Sequence, residues 1–171
     1  MEEKKSQAEK TDIVRLSNEI IYHRYLINKN HVRDFTRKIS VPEYIALYNI
    51  DMGRETSDIY SGRTYLKELA EKMQLTIRQT SRMVGDLRDR GLVLWAHDGN
   101  GSQGTYVTIT ESGQKLLKEQ EEILKNYYGR VIEKYGRDNM ITLLQSMKQL
   151  ETVMSSTMEE LEAEENDEFI E

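Results

Sequence analysis

The sequence predicts a mainly α fold carrying one small β-hairpin, and three observations lead there. Most of the chain repeats its apolar residues at helical spacing, with 1 proline and 10 glycines to interrupt it. Residues 92–110 break that pattern. Leu92-Val93-Leu94-Trp95 and Thr105-Tyr106-Val107-Thr108-Ile109-Thr110 are strand formers on either side of a polar, glycine-rich tip. Just before the hairpin stand two short helical segments joined by a tight turn, the order of a helix-turn-helix. The whole reads as a winged helix-turn-helix plus a helical dimerisation layer from the N- and C-terminal helices.

In chain order, residues 1–10 are polar throughout and predict a disordered N-terminus. From Asp12, read as a cap, Ile13, Leu16, Ile20, His23 and Ile27 recur at three- and four-residue steps, and Val14, Ile21 and Tyr25 widen the stripe. Residues 11–35 thus form a helix with too broad an apolar face to stand alone, a dimerisation helix. Residues 36–113 make the DNA-binding domain. Ser40 caps its first helix, with Pro42 in the first turn and Tyr44, Ile45, Leu47, Tyr48 and Ile50 as apolar content. Residues 51–62 are a polar insertion. Arg54 or Arg63 could carry it to a nucleic acid, but a plain surface insertion accounts for it more simply.

The next helix points Leu66, Leu69, Ala70 and Met73 inward and turns at Gln74 and Leu75. Thr76 and Gln79 form a Thr-x-x-Gln capping box for the second helix. Ile77, Thr80, Met83, Val84 and Leu87 give that helix its buried face, and Gly91 ends it. Residues 114–161 hold the C-terminal dimerisation helices. Leu116, Leu117, Ile123, Leu124, Tyr127, Val131, Ile132 and Tyr135 mark one face, and Gly136 breaks the helix. Met140, Leu143, Met147, Leu150, Met154, Thr157 and Leu161 then form a heptad seam. Such a seam needs a partner helix, and a two-fold homodimer is the simplest source. Residues 162–171 are an acidic tail, frayed from Asn166.

The run from Leu66 to Leu117 resembles the MarR family of bacterial transcription regulators. The matching residues are Leu69-Ala70, Leu75-Thr76, Thr80-Ser81-Arg82, Leu87, Gly91-Leu92-Val93 and Ile109-Thr110-Glu111-x-Gly113. The helix-turn-helix part is common to many winged-helix families; the Ile-Thr-Glu-x-Gly ending with long flanking helices is more specific. The resemblance implies a cytoplasmic dimer that occupies an inverted-repeat operator in double-stranded DNA as a repressor. It also implies a small-molecule effector whose binding respaces the two winged helices. In the family a wing Asp-x-Arg precedes the last strand. Aligning on Val107-Thr108-Ile109-Thr110 puts Gly101 and Gln103 at those places, so Gln103 brings a hydrogen-bond donor to the minor groove but no charge.

Composition narrows the chemistry. No cysteine is present, which removes disulfides, thiolate metal sites and thiol redox switches. His23, His31 and His97 are scattered, so no metal is expected. No apolar run approaches membrane-spanning length. No phosphate loop, His-x-x-x-His pair or nucleophile elbow appears, so neither a cofactor nor an enzyme is expected. The net charge of −6 would argue against nucleic acid if it were spread evenly. Much of it is the tail, where Glu159, Glu160, Glu162, Glu164, Glu165, Asp167, Glu168 and Glu171 face no basic residue. Between Arg63 and Arg90 the cations outnumber the acids.

The candidate DNA-binding residues are Thr76, Arg78, Gln79, Ser81, Arg82 and Gln103. Arginine can read guanine bidentately and glutamine adenine, and a capped helix N-terminus can hold a phosphate. Their ordinary reading is exposed polar residues on a surface helix; their place after a helix-turn-helix turn favours DNA. Tyr22, Tyr25, Tyr44, Tyr48, Trp95, Met140 and Met147 could line a ligand pocket or simply pack. The second reading of the whole chain is a winged-helix protein-interaction module with little DNA affinity, which the uncharged wing favours.

Overall fold

The computed structural model describes residues 2–29, 37–53, 62–99 and 104–168, with side chains from residue 12 to 164 within them. Its elements run α1 (Glu2–Lys29), α2 (Val41–Met52), β1 (Thr64–Tyr65), α3 (Leu66–Met73), α4 (Ile77–Asp89), β2 (Val93–His97), β3 (Thr105–Ile109), α5 (Glu111–Tyr135) and α6 (Arg137–Glu168). The chain divides into two compact units, Met1–Glu121 and Glu122–Glu171.

The first unit holds the winged helix. Its sheet has the order β1-β3-β2, antiparallel throughout. β2 and β3 pair from Val93↔Ile109 to His97↔Thr105, and β1 adds Thr64↔Val107 and Tyr65↔Tyr106. Strand alternation sorts the side chains. Val93, Val107, Thr105 and Thr64 are buried on one face, whereas Leu94 is 62% exposed on the other. The buried face meets α2, α3 and α4 through Ala46, Leu47, Ile50, Leu66, Leu69, Val84 and Leu87, with Ile39, Leu92 and Leu117 closing the core. Burying each of these large side chains is worth about 1.5–3 kcal/mol, and the helical periodicities are what aim them at one place.

The caps match the expectation. Ser40 and Glu43 form a capping box at α2, with Pro42 in the first turn. Gly91 has φ +72°, which lets the chain leave α4 without a Cβ clash. The junction after β3 shows why Thr110 and Gly113 belong together. The Thr110 hydroxyl donates toward the Gly91 and Leu92 carbonyls (2.7 and 3.0 Å) and accepts from Gly113 N–H (3.0 Å). A Cβ on Gly113 would stand 2.1 Å from the Leu92 carbonyl oxygen. Only glycine admits that approach of α5 to the base of the hairpin.

Four expectations change. Where a disordered N-terminus was expected, α1 is helical from Glu2, and Asp12 lies inside it, paired with Arg15 at 3.2 Å. Glu, Lys, Gln and Ala dominate that stretch, and all are good helix formers with no breaker among them. α6 likewise continues through Asn166 to Glu168, because nothing in its sequence stops it. Thr64-Tyr65 is a strand, and Tyr65, which helical periodicity joins to the following helix, stands before it. Ile77 is 56% exposed and not part of the buried face of α4, because it sits in the first turn, beyond the core. Of the insertion, Asp51 and Met52 finish α2, and Gly62 N–H bonds the Gly53 carbonyl at 3.1 Å; Arg54 lies outside the described residues.

The second unit is helical, the rest of α5 followed by α6. Gly136, with φ +94°, separates the two helices. The seam residues Leu143, Met147, Leu150, Met154 and Leu161 are 41–55% exposed. In the first unit, Ile13, Leu16, Ile20 and Ile27 of α1 are 52–72% exposed. Among the described residues no helix is long and apolar enough to cross a membrane.

Candidate nucleic-acid interface

The site is built on the turn between α3 and α4. Gln74 takes the left-handed conformation (φ 53°, ψ 42°) that glycine more often supplies. The chain reverses there, with Gln74 N–H bonding the Glu71 carbonyl (3.1 Å) and Leu75 N–H the Ala70 carbonyl (3.0 Å). Thr76 then caps α4 reciprocally. Its hydroxyl accepts from Gln79 N–H at 3.2 Å, and Gln79 Oε1 accepts from Thr76 N–H at 2.9 Å. The Thr76 hydroxyl also donates to Gln79 Oε1 at 2.9 Å. Thr80 is fully buried below, donating its hydroxyl to the Thr76 carbonyl at 3.1 Å.

This geometry divides the candidate residues. Arg78 and Arg82, one helical turn apart, are exposed on the same face. Among the described residues neither forms an ion pair. Each presents five N–H donors to solvent. Gln79 is exposed beside them, but its carbonyl already serves the cap. Reading adenine bidentately needs that carbonyl as acceptor together with the amide as donor, so Gln79 reads bidentately only by giving up the cap; its amide alone can donate. Thr76 has its hydroxyl engaged in both directions as the helix cap. Ser81 is half-buried on the flank of α4. Gln103 lies outside the described residues, as does His31.

Other cations of the segment serve the fold. Arg90 bonds Glu43 at 2.8 Å and the Lys38 carbonyl, tying the end of α4 to the start of α2. Lys38 pairs with Glu119 of α5 at 2.8 Å. Burial raises the pKa of Glu43, but bonds from Ser40 and the Arg90 charge outweigh it and hold the carboxyl below its usual range. Arg88 pairs with Asp89 at 2.8 Å, its guanidinium 5.9 Å from the Trp95 ring centre. Lys67 approaches Glu71 at 4.0 Å. The count of positive residues therefore overstates the charge available to a ligand; on α4 it narrows to Arg78 and Arg82.

The wing carries a cluster that sequence reasoning did not assemble. Tyr65 and Tyr106 meet edge to face, 6.2 Å between ring centres. Arg63 lies over Tyr106, 4.4 Å from the ring centre. The Tyr65 hydroxyl donates to Asp98 Oδ2 at 3.0 Å, and this bond raises its pKa. The tip is closed by Asp98 N–H to the Gly104 carbonyl at 3.0 Å. His97 Nε2 lies 2.9 Å from the Thr105 hydroxyl. Arg-Thr-Tyr ahead of Leu66 was the available signal, a β-branched and aromatic pair before a helix start. Among the described residues no group of three or more His, Asp or Glu could hold a metal.

No family model matches the chain. Over 120 residues, 70% of this chain, it is 24% identical to the tape measure protein of Pneumococcus phage Dp-1, of whose length the match spans 10%. Solved structures share the fold more fully. A MarR family regulator from Neisseria meningitidis superposes with a TM-score of 0.62 at 18% identity, covering 87% of this chain and 97% of that one. The transcriptional repressor CouR, bound to a 23-mer DNA duplex, gives 0.65 at 18% identity over 79% and 94%. The PcaV transcriptional regulator from Streptomyces coelicolor, in complex with its natural ligand, gives 0.59 at 14% identity over 79% and 88%. The fold is that of the MarR winged-helix regulators.

Proposed function

We propose that this chain, which has the fold of the MarR regulators, is a dimeric, sequence-specific DNA-binding transcriptional regulator. The observation that carries the reading is the exposed pair Arg78 and Arg82 at the start of a capped helix that follows a helix-turn-helix turn. Nothing in the fold of the described residues uses these two cations, whereas Arg88 and Arg90 are both engaged. A second helix so placed lies in the major groove with its N-terminal residues toward the base edges. Arg78 reads a base, Arg82 reads a base or holds a phosphate, and the amide of Gln79 adds a single donor.

The apolar faces of α1 and α6 support the dimer. Large apolar surface left in water marks an interface, and a second copy is the simplest cover. Two recognition helices then meet an inverted repeat whose half-sites lie roughly 34 Å apart. In this reading the protein represses by occupying a promoter. A small ligand that binds one spacing of the two winged helices better than the other releases it. The fold likeness to a regulator seen with DNA and another seen with its ligand agrees with this.

The test is selection of bound duplexes from a random pool, followed by anisotropy with wild type and an Arg78→Ala, Arg82→Ala variant. An enriched inverted repeat, bound by wild type and lost by the variant, is the expected result. An empty selection would instead favour the protein-interaction module, to which the cation-free hairpin already points.

A further inference from the structure

We propose that Gly85 is the point at which α4 comes closest to the duplex, a bare place on the helix that lets Arg78 and Arg82 reach the base edges. The proposal rests on the reading of α4 as a DNA-binding helix and adds to it a residue that sets the helix's depth in the groove.

Nothing among the described residues requires a glycine at this position. Gly85 stands in the interior of α4, with ordinary right-handed helical backbone. A Cβ built there would meet nothing within 4 Å. Gly91 differs, because its φ of +72° favours glycine, and so does Gly113, where a Cβ would strike the Leu92 carbonyl. Alanine would fit at residue 85, and glycine is among the poorest helix formers.

The residue's place on the helix supplies a reason. Arg78, Arg82 and Gly85 follow at steps of four and three residues, so they share an arc of about 60°. That arc lies opposite Thr80, Val84 and Leu87, the buried side of α4. Arg82 and Gly85 are about 4.5 Å apart along the axis. The outer face thus runs from two exposed arginines, neither ion-paired among the described residues, to a position with no side chain. Asp89, one turn further on, is bonded by Arg88 at 2.8 Å, and its carboxylate marks where a polyanion must leave the helix.

Size decides what the bare place can do. The major groove is about 12 Å wide, and a helix with its side chains is about 10–12 Å across. A helix therefore enters with little clearance, and one side chain fewer on its leading face lets the axis sit deeper. Base edges form the floor of the groove, whereas phosphates line its rim. Depth then matters most to the base contacts of the two arginines and least to contacts at the rim.

The experiment is anisotropy with wild type, Gly85→Ala and Gly85→Val over a series of salt concentrations. The probes are the duplex selected by wild type and a random duplex, with thermal midpoints measured in parallel. Alanine and valine are both better helix formers than glycine, so neither variant should fall in midpoint. Valine, branched at Cβ, cannot turn its bulk aside. Affinity for the selected duplex is expected to fall about 5- to 150-fold, the worth of one bidentate base contact, and further for valine than for alanine. Affinity for the random duplex and the slope of log affinity against log salt should stay at wild-type values, because no charge has changed. Wild-type affinity of Gly85→Val for the selected duplex would overturn the proposal. So would an equal loss on both duplexes, or a loss that accompanies a fallen midpoint. Wild-type protein that enriches no duplex would overturn this inference and the proposed function together. Binding lost with Arg78→Ala, Arg82→Ala but kept by both glycine variants would overturn this inference alone.

Discussion

Replacing Gly113 by alanine should separate α5 from the base of the wing, and the cost follows from the distances. The new Cβ would lie 2.1 Å from the Leu92 carbonyl oxygen, 3.1 Å from its carbon and 2.8 Å from Ile109 Cγ1. The isoleucine can turn aside, but the carbonyl is backbone and the two chains must part by close to an ångström. Overpacking of this kind costs about 1–3 kcal/mol. The shift also strains Thr110 N–H to the Leu92 carbonyl, now 3.0 Å, and a weakened bond adds roughly 1 kcal/mol. A loss of about 3 kcal/mol lowers the thermal midpoint by roughly 6–12 °C for a chain of this size. Gly85→Ala is the matched control. Its Cβ would meet nothing within 4 Å inside α4, so the gain in helix propensity, about 0.8–1 kcal/mol, should raise the midpoint. Urea titrations of both variants, followed by circular dichroism, compare them. A Gly113→Ala midpoint within about 0.5 kcal/mol of wild type would refute the argument that this junction requires glycine.

Two further outcomes come from the caps and the ion pairs. Gln79→Glu keeps an acceptor for Thr76 N–H but removes the amide donor and adds a negative charge beside Arg78. It should hold the wild-type thermal midpoint and lose DNA affinity, whereas Gln79→Ala should lose about 1 kcal/mol of stability through the cap; equal midpoints for the two would remove the cap from the account. The Glu43 carboxyl has a lowered pKa when folded, so the stability it brings is present above the unfolded carboxylate value and is lost as the pH falls through the folded value. Arg90 is 39% exposed, and screening limits the advantage of wild type over Glu43→Gln to about 1 kcal/mol. That difference should be full at neutral pH and close below about pH 4; a gap that persists or widens in acid, in unfolding midpoints measured across the range, would contradict the assignment.

Much of this architecture was legible because several signals agreed at the same residues. Thr76 and Gln79 announced a helix start, the spacing of Thr80, Val84 and Leu87 its buried side, and Gly91 its end; all recur in the structure. What escaped was whatever depends on partners distant in sequence. β1 is only two residues long and exists because β3 offers it an edge; no local pattern of that length separates a strand from the helix that follows. The competition at Gln79 needed atomic positions, because sequence assigns the residue both a cap and a base-reading role without showing that both use one carbonyl oxygen. Gln120 is buried at 1% exposure with no partner for Oε1 among the described residues, and nothing in the polar run around it foretold that. α1 and α6 were legible as amphipathic helices, and their apolar residues are exposed in this chain.

Two backbone hydrogen bonds have a consequence for how such a chain can change over generations. Gly62 N–H to the Gly53 carbonyl, and Asp98 N–H to the Gly104 carbonyl, each hold together residues that stand several positions apart in the sequence. Residues between such partners can be added or deleted without disturbing the stem, and doubling the length of a closed loop costs only about 0.6 kcal/mol. The insertion after α2 and the tip of the wing are therefore the places where this domain can be lengthened or shortened most cheaply, while Gly113 and Thr110 fix the part that cannot change.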